Sequence, residues 1–298
     1  MKVSIIIPVY NAAPFLDKCV VSALNQQQTG EVLLIDDGST DGSWEICLNW
    51  SQKNNQIRLF KNDGLKGAGG ARNVGIRNAN CDYVAFLDAD DYYLSNRFYE
   101  DEKLYKNNSQ VVSIASSVIT KTYNSKDVTL LNRHYKNNEI CGGSSDFSKV
   151  TISNLLYESS IKITGITIKR EILAELGDFN VQLKQGEDTE FLVRLILKYA
   201  LYTSKANKPI CVRNIHINNT IANFNESIYY RKIVYKKFLK LALFKLGDLD
   251  LGYKLLKSYF EIDMYNHLGN KNIKFKKIKK IILSPIIFFR LLFFTKSL

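Results

Sequence analysis

Three carboxylates end the segment Tyr83-Val84-Ala85-Phe86-Leu87-Asp88-Ala89-Asp90-Asp91, and the spacing of the first two gives them a chemical use. On an extended backbone, residues i and i+2 lie on one face, so Asp88 and Asp90 would face the same way at the end of an apolar run. A carboxylate pair held away from water needs compensation, and a hard divalent cation provides it. Oxygen ligands suit Mg2+ or Mn2+, which take one or two carboxylates and complete their shell with water and substrate phosphate. The motif points to metal-assisted diphosphate chemistry. Its plainer alternative is a solvated acidic loop.

The elements around this segment place further polar clusters in equivalent positions. Residues 3–8 form an apolar run followed by Val9, Tyr10 and Asn11, and helical periodicity covers about residues 13–27. A second run at 32–35 ends in Asp36-Asp37-Gly38-Ser39-Thr40-Asp41, with a helix over roughly 42–53. A third at 57–61 precedes the glycine-rich stretch 64–73, which opens a helix reaching about residue 79 before the 83–87 strand. Each cluster follows a strand, and in an open, mostly parallel α/β sheet that edge binds ligands. The glycine stretch is no dinucleotide fingerprint, because Arg72 stands where a third glycine is needed, and it lacks a P-loop Gly-Lys-Ser/Thr. Its N–H groups at a helix start can still hold an anion, with Arg72 adding a charge-assisted hydrogen bond to phosphate.

In order and spacing, Ser4-Ile-Ile-Ile-Pro-Val-Tyr-Asn11, Ile35-Asp-Asp-Gly-Ser-Thr-Asp41, Ala71-Arg-Asn-Val-Gly75, Phe86-Leu-Asp-Ala-Asp-Asp91 and Gly186-Glu-Asp-Thr-Glu-Phe-Leu-Val-Arg194 resemble family 2 glycosyltransferases. The resemblance covers about residues 3–220. It implies the nucleotide-diphospho-sugar transferase (GT-A) fold: an α/β structure whose mostly parallel central sheet is flanked by helices, here with a C-terminal helical basic and apolar appendage. It implies that Asp37 accepts the uracil N3–H and that Pro8, Val9, Tyr10 and Asn11 shape the nucleoside pocket. Lys66, Arg72 and Asp88 join this nucleotide-binding set, with Asp88 near ribose and metal. Asp90 would bind Mn2+ or Mg2+ directly, and Asp91 would orient the turn or cap a helix starting near Ser95.

An acceptor hydroxyl still needs a general base, and the resemblance gives that role to Asp188. Glu187, Asp188 and Glu190 precede an apolar helical stretch, so they fall in a first turn where the macrodipole favours anions; helix capping is their alternative use. A single displacement with an α-linked donor predicts a β-linked product. His216 stands where some relatives place a metal or pyrophosphate contact, Arg213 is a comparable phosphate candidate, and Glu187 is a candidate on the acceptor or phosphate side. Two departures stand out: Cys81 replaces a common glycine, and residues 161–170 lack an aromatic often found before the Lys-Arg pair.

Composition sets the remaining bounds. The 298 residues are 46% apolar, enough for one large α/β domain plus an appendage and short of an integral membrane protein. Basic and acidic residues balance over 1–227, so the whole formal charge of +12 falls in 228–298, where 16 basic residues face 4 acidic ones. A boundary is expected near 225–228, giving a catalytic domain 1–227 (nucleotide half 1–110, acceptor half 111–227) and a helical tail 228–298. Helices are expected over 229–246 and about 249–268, joined around Gly247-Asp248. Residues 273–283 place lysines on one helical face and apolar groups on another, and 286–294 form an apolar run too short to span a bilayer. Residues 271–298 therefore read as an anionic-membrane contact. The apolar end argues against nucleic acid as the partner of this basic tail.

Five scattered cysteines fit a reducing compartment, and a strand beginning almost at Met1 leaves no room for a cleavable signal. The expectation is a cytoplasmic protein, peripheral on the inner membrane face, that moves a sugar from a nucleotide-diphosphate donor to a glycan or lipid-linked acceptor. The competing class is a nucleotide-sugar-binding or membrane scaffold without turnover.

Overall fold

The computed structural model describes residues 1–122, 140–141, 147–158, 161–204, 208–216 and 224–268. They fall into two compact units, Met1–Ala222 and Asn223–Leu298. In the first, the alternation read from the sequence becomes β1 (Val3–Val9), α1 (Ala13–Leu24), β2 (Thr29–Asp36), α2 (Ser43–Lys53), β3 (Ile57–Lys61), α3 (Ala68–Asn78) and β4 (Tyr83–Phe86). Then follow β5 (Tyr92–Tyr93), α4 (Tyr99–Asn107), β6 (Ser113–Ala115), β7 (Val118–Thr122), β8 (Ile140–Cys141), β9 (Ile166–Lys169), the helix Glu187–Lys198, β10 (Tyr202–Thr203) and β11 (Cys211–Ile215).

Among the described residues the strands build two sheets, ordered β10-β6-β9-β4-β1-β2-β3 and β5-β11-β7-β8. In the larger sheet β4, β1, β2 and β3 run parallel, whereas β9 is antiparallel to both β4 and β6. Strands covered on both faces should be apolar without alternation, and Ile5, Ile6, Ile7, Leu33, Leu34, Ile35, Val84, Ala85 and Phe86 are fully buried. Alternate residues serve different layers. Ile5, Ile7 and Val9 pack with Leu16, Val20 and Ala23 of α1 and Cys47 of α2. On the other face, Phe86 meets Phe179 and Phe191 edge-on at 5.5 and 6.3 Å, and the latter two rings stack at 4.0 Å. Such pairs contribute about 0.5–1.5 kcal/mol each beyond area burial. They seat the helix Glu187–Lys198 beneath β4.

Several boundaries differ from expectation. α1 stops at Leu24 rather than near 27, because the chain turns through hydrogen bonds from Gln26 N–H to Ala23 O and from Thr29 Oγ1 to Ala23 O. α4 begins at Tyr99, not near Ser95, and Asp91 does not cap it; its Oδ1 accepts the Asn214 N–H of β11 at 2.9 Å. Cys81 is accommodated beside a residue without a side chain, since a Cβ on Gly30 would collide with its Sγ.

The second unit holds the helices Phe224–Leu241 and Leu249–Leu268, joined by a wide helical turn, Ala242–Leu246, and by Gly247 at φ 64. Asp248 Oδ1 accepts the Leu251 N–H at 2.9 Å and so caps the second helix. The two segments expected at 273–283 and 286–294 lie outside the described residues.

Candidate functional site

Three clusters line the C-terminal edge of the parallel strands. The first joins the ends of β1, β2 and β3. Asn11, at φ 47, accepts the Thr40 N–H on Oδ1 at 2.8 Å and donates its own N–H to Ser39 Oγ at 3.1 Å. Asp41 accepts the Ala13 N–H at 3.0 Å, so the loops after β1 and β2 are stitched together. Asp37 is buried, and its oxygens accept from Asn62 Nδ2 and from the Gly67 N–H at 2.7 Å. Each carboxylate oxygen carries further lone-pair capacity, so the clamp orients Asp37 without exhausting it. Tyr10 stands 62% exposed beside this cluster, a free aromatic face at the rim. Pro8 and Val9 close β1 below it. A cleft of about 390 Å³ opens on the α2 side of β2, lined in part by Asp36, Trp44, Lys61 and Lys66. Of the residues expected to bind nucleotide, Lys66 alone lines it, so it flanks the edge at Asp37 rather than forming its centre.

The second cluster follows β4. Residues 88–91 form a turn closed by the Asp91 N–H on Asp88 O at 2.9 Å. Asp90 Oδ2 lies 2.9 Å from His216 Nε2, and that imidazole stacks on Phe15 of α1 with ring centroids 4.7 Å apart. Asn214 donates its side chain to Asp90 O, fixing the turn to β11. Burial pushes the Asp91 carboxyl well above the ordinary range, reinforced by the charges of Asp90 and Asp88 and opposed by nearby Arg213. The sequence placed Asp90 and His216 far apart, and β11 pairing with β5 brings them together.

The third cluster couples the β4 turn to the helix Glu187–Lys198. Arg72, 3% exposed, donates Nη2 to Asp88 Oδ1 at 2.7 Å and Nη1 to Glu187 Oε1 at 2.8 Å. Both terminal nitrogens thus engage carboxylates inside the protein, a use that the expectation of a phosphate partner did not include. Burial alone disfavours its charge, but Asp88, Glu187 and Asp188 outweigh that and raise its pKa. Glu187 is pushed up to about 7 by burial and then by the Asp188 charge, which together outweigh the attraction of Arg72. It is buried and paired with Arg72. Asp188 is half-buried in the first helical turn, with Oδ1 accepting the Thr189 N–H at 2.6 Å.

Whether a divalent cation fits can be judged from the donor set. Among the described residues no group of three or more His, Cys, Asp or Glu side chains could hold a metal unaided. Asp90 in the turn after β4 and His216 after β11 nevertheless meet at 2.9 Å, with Asp88 in the same turn as Asp90, and these are donor types that Mg2+ or Mn2+ accepts when substrate phosphates complete the shell. The donor types are compatible with a cation shared with substrate phosphates, and not with an all-protein cage among the described residues.

Sequence reasoning missed Asn62, Asn214, Asn73 and Phe15, which hold functional groups instead of performing chemistry. Asn62 was within reach of the strand-end rule that found Asp37, since it follows β3 directly. Asn214 and Phe15 depend on long-range pairing, for which one sequence carries no signal.

The family model of glycosyl transferase family 2 matches residues 4–177. A glycosyltransferase of Haemophilus influenzae, uncharacterised by its name, is 28% identical over 279 residues, covering 92% of this chain and 98% of its own. The Escherichia coli enzyme WfaP, a UDP-Glc:alpha-D-GlcNAc-diphosphoundecaprenol beta-1,3-glucosyltransferase, is 38% identical over 130 residues, 41% of this chain and 51% of its own. Among solved structures, Staphylococcus aureus TarS in complex with UDP-GlcNAc superposes with a TM-score of 0.66 at 19% identity, over 95% of this chain and 79% of that one, a likeness of fold. Together with the strand-end clusters, a family match across more than half its length shows that the chain is a glycosyltransferase and belongs to glycosyl transferase family 2.

Proposed function

We propose that this chain transfers a sugar from a UDP-sugar to a hydroxyl of a lipid-linked glycan by one inverting displacement. The observation that carries the reading is the meeting of Asp88, Arg72 and Glu187, which sets the donor-side turn beside the first turn that bears Asp188. Asp37, held by Asn62 and Gly67, would accept the imide N–H of the base, and exposed Tyr10 offers a ring for stacking. Asp90, with Asp88 and His216 beside it, would hold Mn2+ or Mg2+, which supplies Lewis-acid neutralisation of the diphosphate when bound. Asp188 would take the acceptor hydroxyl proton as that oxygen attacks the anomeric carbon, and the bond to the diphosphate breaks on the opposite face. The name of WfaP and the UDP-GlcNAc complex of TarS support a UDP-sugar donor, and the name of WfaP a diphosphoundecaprenol-linked acceptor.

The test is incubation with UDP-glucose and UDP-GlcNAc in the presence of GlcNAc-diphosphoundecaprenol and Mn2+, with the anomeric configuration of any product read by NMR. A β-linked product is expected. An α-linked one would overturn the single displacement, and nucleotide binding without any turnover would favour a scaffold.

We further propose that the chain resides at an anionic membrane face on the cytoplasmic side, and one feature supports the contact with a membrane. At the turn of the helical hairpin, Phe244, Leu246 and Leu249 are 58%, 43% and 51% exposed, beside Lys245. No helix among the described residues is long and apolar enough to cross a membrane. Exposed apolar groups suit insertion at the bilayer interface, and residues 271–298 would add their positive charge. Flotation of the full chain with liposomes containing anionic lipid, and loss of binding in Phe244→Ser/Leu249→Ser, would support this. Equal recovery with neutral and anionic liposomes would exclude it.

A further inference from the structure

Arg72 lies in the first half of α3, and its two terminal nitrogens reach elements that are distant in sequence. Asp88 belongs to the turn after β4, and Glu187 opens the helix Glu187–Lys198, where it is bonded directly to Asp188. One planar guanidinium thus spans the donor-side turn and the segment carrying the proposed base. A fork with prongs on two carboxylates is a geometry that lysine does not reproduce.

The surroundings hold this fork in place. The neighbouring Asn73 clamps the backbone of Phe179, donating Nδ2 to its O at 3.0 Å and accepting its N–H at 2.7 Å. The Phe179 ring lies 5.5 Å from the guanidinium and stacks on Phe191 of the base-bearing helix. A Cβ added at Gly69 would sit 3.2 Å from Glu187 Cγ, so the start of α3 approaches that helix as closely as packing permits. Arg72 Nε is buried without an acceptor among the described residues, as is Arg97 Nε, so the two terminal nitrogens alone tie Arg72 to its neighbours.

We infer that Arg72 and Glu187 form a positioning pair that fixes the separation of the Asp88 turn from Asp188, and that neither contacts phosphate or acceptor. The inference deepens the proposed function, because it takes Asp88 as donor-side and Asp188 as the base. A displacement of about 1 Å at a reacting pair is enough to cost about 100-fold in rate.

The test is a double-mutant cycle in the full chain, comparing Arg72→Gln, Glu187→Gln and their combination, with Arg72→Lys as the conservative variant. UDP affinity in Mn2+ is measured by calorimetry, and kcat and KM by UDP release from UDP-glucose and UDP-GlcNAc with GlcNAc-diphosphoundecaprenol. Amide exchange in residues 88–91 and 187–191, which needs no substrate, is the third measurement and decides the matter if neither donor is turned over. We expect UDP affinity within about threefold of the parent chain, and kcat lower by about 100-fold in each single variant. The double variant should be no slower, lysine should not rescue, and exchange should quicken by about tenfold in both segments.

Loss of UDP affinity with kcat retained in Arg72→Gln would make Arg72 a phosphate ligand and overturn the pairing. Multiplying losses in the double variant, or exchange that quickens in one segment only, would also overturn it. If Asp188→Asn stays active while the pair remains coupled, the base assignment fails and the pairing stands. If Asp188→Asn is inactive and the losses multiply, the pairing alone fails.

Discussion

Arg72 and Arg97 are both buried guanidinium groups, each held by carboxylate and set near an aromatic ring, yet their surroundings differ in one respect. Arg97, 1% exposed, donates Nη1 to Asp101 Oδ2 at 2.7 Å and Nη2 to Thr167 Oγ1 at 3.1 Å. Asp101 also accepts from Thr167 Oγ1 at 2.7 Å and from Ser116 Oγ at 2.9 Å, and each of these partners is itself buried. That network is closed: it joins the start of α4 to β9 inside the core. The Asp88 side chain, in contrast, is 35% exposed while its Arg72 partner is 4% exposed. Burial of a cation does not identify a functional site. An open carboxylate at the far end of the pair distinguishes the Arg72 cluster from the Arg97 network.

The comparison has consequences of different size. On the open side, Asp188→Asn should lower transfer by about 10³-fold, within the range of a lost general base, and leave UDP affinity unchanged; paired rate and calorimetric measurements check this. On the closed side, Arg97→Met leaves Asp101 buried without its cation, and denaturant unfolding should show a loss of about 3–5 kcal/mol. Its kcat per folded molecule should stay at the parent value. A transfer defect without loss of stability in this variant would erase the distinction.

A smaller effect concerns pH. The folded pKa of Glu187 lies near 7, above its unfolded value near 4.5. The folded state therefore binds more protons between these limits, and the stability linked to this group is present below about 4.5 and lost as pH rises through about 7. In protein free of metal, Glu187→Gln should flatten the decline of unfolding free energy over that window by about 1–3 kcal/mol. Equal slopes in the two chains would show that Glu187 titrates as it does in solvent.

The two arginines also mark what the sequence makes legible. Strand ends, helix starts and the acidic first turn before Phe191 follow from period and composition, because those signals are local. The helical pair around Gly247-Asp248 was readable for the same reason. The engagement of Arg72 was not: a guanidinium serves phosphate and carboxylate equally well, and its choice depends on how near α3 comes to the helix Glu187–Lys198. The antiparallel β9, inserted between β4 and β6, likewise depends on long-range pairing. His216 could be singled out from the resemblance, but its contact with Asp90 arises only when β11 pairs with β5.

The central claim is that Asp90 and its neighbours form a metal-dependent site for a nucleoside diphosphate. Calorimetric titration of UDP, dTDP, GDP and CMP, with Mn2+ and with chelator, tests it directly, with Asp90→Asn as the control. The account predicts binding of UDP that requires Mn2+ and weakens by tenfold or more, about 1.4 kcal/mol, in the control. Binding that is indifferent to both metal and Asp90, or binding of none of the four nucleotides, would contradict it.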